Sequence, residues 1–97
     1  MATMVPPQIR REIGRLLDAL GAAGYRVGKS VFDADCFGDW YVDLRGPRRF
    51  RLTKDRGQYM IGGPEDELRD QGLFRAFDDR DEFERSVLLW LSEKERH

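Results

Sequence analysis

The sequence predicts an α+β fold: a two-layer sandwich in which a four-stranded antiparallel meander carries an N-terminal and a C-terminal helix on one face. Three observations predict it. Apolar residues recur at helical spacing near both ends, apolar and polar residues alternate through the middle, and glycine-containing turns separate the alternating segments. Because the chain has 97 residues, 40% of them hydrophobic and 36% charged, we expect a single domain with one core, spanning residues 1–97.

Apolar stripes and end signals predict the two helices. The first spans about residues 6–23, begins with prolines in its first turn and ends near Gly21 and Gly24. The second spans about residues 79–95, where Asp79 and Glu82 resemble a capping box. The buried stripes are Ile9, Ile13, Leu16, Leu17 and Leu20 in the first helix and Phe83, Val87, Trp90 and Leu91 in the second.

Alternation predicts four strands, at about residues 25–32, 39–45, 49–54 and 58–62. A three-residue loop over residues 46–48 places Leu44 opposite Phe50 and keeps the apolar face continuous. A four-residue loop over residues 54–57, with a positive φ at Gly57, places Leu52 opposite Tyr59 and Phe50 opposite Ile61.

With both helices on the apolar face, the other face of the sheet is open to solvent. The predicted register puts Tyr41, Arg45, Arg49 and Arg51 on it, with Asp43 directly across from Arg51. Arginines beside an aromatic ring on an open sheet can follow phosphates and stack a base, so this face is a candidate nucleic-acid-binding site.

The residues that commonly carry catalysis or bind metals are scarce. Cys36 is the only cysteine and His97, the last residue, is the only histidine. We therefore expect no disulfide, no catalytic residue, no enzyme activity, no metal and no cofactor. The aspartates at 33, 35 and 39 lack EF-hand spacing and are expected to bond turn backbone instead.

The segment from Gly24 to Ser30 ends like a phosphate-binding loop, but a helix precedes it and a strand follows, the reverse of what that loop requires. We interpret Gly28 as a strand bulge or a close-packing position.

Acidic residues concentrate between residues 65 and 84, whereas basic residues concentrate between 45 and 56. Such an acidic stretch can steer a basic protein partner, and an exposed aromatic ring can anchor it. The candidate partner-binding residues, which we call the acidic surface, are Glu65, Asp66, Glu67, Asp70 and Phe74.

Several runs together resemble small bacterial immunity proteins of polymorphic toxins. They are residues 37–42 (Phe-Gly-Asp-Trp-Tyr-Val), residues 50–52, residues 54–59 and the run Ala76-Phe77-Asp78 before the last helix. The resemblance lies in the order of elements and carries no functional residues. It implies a non-catalytic inhibitor that binds a cognate toxin.

The sequence thus leaves two hypotheses open: a protein-interaction domain, such as an immunity protein that binds a basic protein, or a nucleic-acid-binding module that uses the open face. The single cysteine fits a reducing compartment, and residues 1–7 show no export signal, so we expect a cytoplasmic location and no membrane partner. An unpaired sheet edge, or the exposed Met60 and Tyr41, also permits a homodimer.

Overall fold

The computed structural model describes residues 5–95 and confirms the predicted α+β fold. The four strands form one antiparallel sheet in the order β1-β2-β3-β4, with helices before and after it. His97 lies outside the described residues. The elements in chain order are α1 (Pro7–Ala22), β1 (Arg26–Asp33), β2 (Asp39–Arg45), β3 (Phe50–Asp55), β4 (Gln58–Gly62), α2 (Glu65–Asp70) and α3 (Arg80–Glu95).

One apolar core lies between the sheet and the helices. The predicted stripes of α1 and α3 are buried, as are Val42, Leu44 and Leu52 of the sheet. Aromatic rings bridge the layers: Phe50 meets Trp90 edge to face, with centroids 5.5 Å apart. Burial of this apolar surface is the main term that stabilises the fold.

The register between β2 and β3 is as predicted. Leu44 lies opposite Phe50, and Asp43 lies opposite Arg51. Because side chains alternate between the faces of a strand, this register puts Arg51 on the open face while Phe50 and Leu52 face the core.

The predicted register between β3 and β4 is wrong by two residues. Lys54, not Leu52, lies opposite Tyr59, and Leu52 lies opposite Ile61. The connection is a two-residue turn in which both Arg56 (φ 52°) and Gly57 (φ 82°) are left-handed. Such a turn matches the right-handed twist of the flanking strands. A shift of two residues leaves every side chain on its predicted face.

Helix α2 was not predicted, because its six residues contain a single apolar side chain. That side chain, Leu68, is fully buried and joins the core. Glu65 and Asp66 lie in the first turn, where negative charge complements the helix dipole. The charged segment after Pro64 is therefore part of the packed structure rather than a plain connection.

The chain after α2 returns to the outer edge of β4. Tyr59 N donates to Phe77 O at 2.8 Å, and Phe77 N donates to Tyr59 O at 2.7 Å. The Phe77 ring is fully buried. This bridge covers part of the β4 edge, whereas β1 forms the other edge of the sheet.

Candidate functional site

Three charged or aromatic side chains on the open face form one rigid group. Arg51 Nε and Nη2 donate to the two carboxylate oxygens of Asp43, at 2.5 and 3.1 Å. The Arg51 guanidinium carbon lies 4.0 Å from the centre of the Tyr41 ring. Hydrogen bonding to Asp43 raises the pKa of Arg51. The Tyr41 ring and the Asp43 carboxylate thus fix the position of the guanidinium, while 48% of the Arg51 side chain stays exposed to solvent.

Arg45 and Arg49 differ from Arg51 because neither makes an ion pair with a side chain that the structure describes, which covers residues 5–92. Both side chains are exposed, at the end of β2 and immediately before β3. The sequence placed Arg49 within the third strand, but β3 begins at Phe50. These two arginines are free to bind an external anion.

Arg45 and Arg49 stand between two depressions in the surface. The first, which we call the face depression, has a volume of about 500 Å³ and is lined by Asp43, Arg51, Gly62 and Gly63 among others. The second, the end cleft, has a volume of about 910 Å³ and extends towards the C-terminal end of α1 and the start of β1. Both arginines line both depressions. A ligand that crosses this ridge contacts two unpaired cations.

Arg26 is a site residue that the sequence analysis missed. It lies directly opposite Arg45 in the register of β1 and β2, and it lines the end cleft. The register between these strands shifts between Val27 and Ser30, so β1 has a bulge in the interval that contains Gly28, one of the two predicted interpretations of this glycine. No alternation in the sequence marks Arg26, because polar residues occupy both odd and even positions of β1.

Two carboxylates of the acidic surface make internal contacts. Glu67 accepts hydrogen bonds from Arg48 Nη1 at 2.6 Å, Arg48 Nη2 at 2.8 Å and Trp90 Nε1 at 2.5 Å, and only 21% of its side chain is exposed. Glu65 pairs with Arg69 one helical turn later, at 2.5 Å. Two of the four carboxylates proposed for partner binding therefore already have partners within the fold.

The remaining members of the acidic surface are accessible. Asp66 and Asp70 are exposed and make no ion pair with a described residue. Phe74 is 47% exposed, and the Arg69 guanidinium carbon lies 4.9 Å from its ring centre. The structure thus reduces this surface to two free aspartates and one aromatic ring.

A second glutamate, Glu12, resembles Glu67 in its surroundings. Its carboxylate accepts hydrogen bonds from Trp40 Nε1 (2.9 Å), Lys54 Nζ (2.8 Å) and the Tyr59 hydroxyl (2.8 Å). Burial opposes ionisation of Glu12, but these three donors together lower its pKa. Burial and the bond to Glu12 raise the pKa of Tyr59 to about 12. Each tryptophan of the chain therefore has a carboxylate acceptor for its indole N–H, which indicates a structural role.

The aspartates of the β1–β2 turn also serve the backbone. Asp33 Oδ1 accepts from Asp35 N at 3.0 Å, and Asp39 Oδ1 accepts from Arg56 N at 2.9 Å. Among the side chains that the structure describes, no three from His, Cys, Asp or Glu are grouped to hold a metal ion. The hydrogen bond and the charge of Asp33 raise the pKa of the exposed Cys36 thiol, so this cysteine is not activated as a nucleophile.

Comparison with protein families, curated proteins and solved structures finds no match to this chain. No helix in the described part of the chain has the length and apolar content needed to cross a membrane. Function must accordingly be argued from the arrangement of side chains on this fold.

Proposed function

We propose that this chain is a non-catalytic domain that binds single-stranded nucleic acid on the open face of its sheet. One observation carries the proposal: the Arg51 guanidinium lies over the Tyr41 ring, next to Arg45 and Arg49, which make no ion pair with a described residue. From the sequence alone this function is the alternative to protein binding, and the internal contacts of Glu67 and Glu65 support it over the acidic surface.

Arg51 supplies a plane on which a base can stack. Proteins that bind single strands stack bases on aromatic rings and on arginine guanidinium groups. The Tyr41 ring lies on one side of the guanidinium, and Asp43 fixes its edge, so little conformational freedom is lost when a base stacks on the other side. The face depression beside it, at about 500 Å³, is large enough for a nucleobase.

Arg45 and Arg49 supply the positive charge for the backbone phosphates. Arginine presents a planar set of donors that fits phosphate oxygens. The one carboxylate on this part of the face, Asp43, is bound to Arg51 at both oxygens and is thereby neutralised. The chain as a whole carries a net charge of −1, but two arginines without an ion pair to a described residue, Arg45 and Arg49, lie where the strand is proposed to bind.

Fluorescence anisotropy with a short labelled oligonucleotide tests the proposal. We expect binding at low salt, and about tenfold or greater weakening for the double variant Arg45→Gln and Arg49→Gln. The slope of log affinity against log salt should become shallower by about 1.4, since each phosphate contact contributes about 0.7 for a single strand.

The matched control is the double variant Arg11→Gln and Arg85→Gln, which removes two exposed arginines from the helices. Both arginines lack ion pairs with described residues, so the net charge changes equally. Equal weakening in both double variants, or no binding at low salt, would show that the open face does not recognise nucleic acid.

A second proposal keeps the acidic surface as a site for a basic protein partner, such as the toxin of an immunity pair. Asp66, Asp70 and Phe74 support it, because the two aspartates make no ion pair with a described residue and the Phe74 ring is half-exposed. Affinity capture should compare the wild type with Asp66→Asn plus Asp70→Asn, leaving Glu67 intact. Unchanged partners would exclude this surface.

We also propose a cytoplasmic location, which rests on the single Cys36, and a homodimer, which rests on the β1 edge of the sheet.

A further inference from the structure

The end cleft combines three arginines with little negative charge. Arg26, Arg45 and Arg49 all line it, and none of them makes an ion pair with a described residue. Its lining carboxylate, Asp18, accepts a hydrogen bond from Arg10 at 3.4 Å. The cleft is therefore an electropositive depression at the end of the sheet, next to the face on which the strand is proposed to bind.

Two of these arginines face each other across neighbouring strands. Arg26 and Arg45 are register partners on the open face of β1 and β2. Like charges directly opposite in a sheet destabilise it. Neither guanidinium has a described carboxylate as a counter-charge. An anion bound between the two groups would replace this repulsion with attraction, so the fold gains stability from the ligand.

Gly28 places the Arg45 guanidinium over the strand. A Cβ atom at position 28 would lie 2.8 Å from Arg45 Nε and 3.3 Å from Cζ, closer than side chains tolerate. The glycine therefore leaves room for the guanidinium to lie on the backbone at the bulge. Since the obstructing atoms belong to the end of a flexible side chain, Gly28→Ala should displace Arg45 without disrupting the sheet. Gly28 is a positioning residue for Arg45.

We propose that the end cleft is a phosphate-binding subsite formed by Arg26, Arg45 and Arg49. Three guanidinium groups match the oxygens of a phosphate, and the volume of about 910 Å³ admits the group to which the phosphate is attached. The phosphate belongs either to the strand of the proposed function, which this inference deepens, or to a free phosphate compound. Arg26 lies outside the face depression, so the two sites can be tested separately.

Pyrophosphate is the probe for the subsite itself. We expect the melting temperature to rise with pyrophosphate at constant ionic strength, and the arginine Nε–H NMR signals to shift. Arg26→Gln should weaken pyrophosphate binding about tenfold, the loss expected for a charge-assisted hydrogen bond. Gly28→Ala should weaken it several-fold while the far-ultraviolet circular dichroism spectrum stays unchanged. Arg45→Lys, which keeps the charge but loses the planar donors, should also weaken it. Arg11→Gln is the matched control and should bind as the wild type does.

Competition then distinguishes the source of the phosphate. If an oligonucleotide without terminal phosphates displaces pyrophosphate, the subsite takes backbone phosphate; if only free or terminal phosphates displace it, the ligand is a separate phosphate compound. The subsite is overturned if pyrophosphate produces no more change than chloride at equal ionic strength, or if Arg26→Gln and Gly28→Ala bind it as the wild type does. Pyrophosphate binding without oligonucleotide binding would retain the subsite and reject the proposed function. Oligonucleotide binding by a protein that does not bind pyrophosphate would retain the proposed function and reject the subsite.

Discussion

Replacing Glu67 by alanine removes one carboxylate but breaks three hydrogen bonds between separate parts of the fold. Glu67 lies on α2, Arg48 in the loop between β2 and β3, and Trp90 on α3. The Arg48 guanidinium carbon also lies 4.7 Å from the Trp90 ring centre, so the three side chains form a closed triangle. The variant leaves the Trp90 N–H and the Arg48 guanidinium without this acceptor.

The expected loss follows from burial. Hydrogen bonds to charged groups contribute about 1.5–3 kcal/mol each in mutational series. Solvent reaches 21% of both the Glu67 and the Arg48 side chains, which screens the pair and lowers the sum. We therefore expect Glu67→Ala to reduce the free energy of unfolding by about 2 kcal/mol. For a domain of this size, that change lowers the melting temperature by roughly 8–16 °C.

Urea denaturation followed by circular dichroism measures this loss. Glu65→Ala is the matched control, because Glu65 lies on the same helix but is 54% exposed and forms an exposed ion pair with Arg69. Its loss should be about 0.3–0.5 kcal/mol. Glu67→Gln, which keeps one oxygen acceptor, should fall between the two. Losses for Glu67→Ala and Glu65→Ala that agree within about 0.5 kcal/mol would refute the structural role of Glu67, and its assignment to a partner-binding surface would regain support.

Three further predictions concern other parts of the fold. Because the pKa of Glu12 is lowered in the folded state, its contribution to stability is present above about pH 4.5 and is lost as the pH falls through the depressed value; Glu12→Gln should flatten this acid limb in pH-dependent urea titrations. Arg45→Glu should raise the free energy of unfolding by about 0.2–1 kcal/mol at low salt by giving Arg26 an opposite charge, an effect that must vanish at high salt if it is electrostatic. Arg56→Asn should raise the melting temperature, with a gain of about 0.5 kcal/mol, because asparagine tolerates the φ of 52° at this position; a loss would show that the arginine side chain itself stabilises the turn.

The accuracy of the predicted sheet depended on the loops. The loop before Phe50 is short and contains Gly46 and Pro47, so few registers keep the apolar face continuous, and the correct one followed. The turn at Arg56 and Gly57 was misjudged because it needs a left-handed arginine, which local preferences disfavour. The hairpin twist outweighed that preference, yet the face of each residue was still correct because the error was an even number of residues.

The candidate site was predictable only in part, because loop geometry also decides which residues of neighbouring strands lie opposite each other. Tyr41 and Arg51 follow from alternation, so their shared face could be read from the sequence. Arg26 could not be paired with Arg45, because the loop between β1 and β2 allows several registers and the bulge at Gly28 changes the count. No sequence pattern predicts the hydrogen bonds that Glu67 accepts within the fold. The one indication in the sequence is Trp90, because a buried indole N–H needs an acceptor.

Because each indole N–H donates to a glutamate on a different helix, each tryptophan reports on the packing of one helix. Trp40 on β2 donates to a glutamate of α1, and Trp90 on α3 donates to a glutamate of α2. In a proton NMR spectrum each indole N–H gives its own downfield resonance, so the undocking of α1 and of α2 can be followed separately without labels. The ring of Trp90 also packs against Arg48, which lies in the same loop as Arg49. A ligand bound at Arg45 and Arg49 should therefore shift the indole N–H resonance of Trp90 and leave that of Trp40 unchanged.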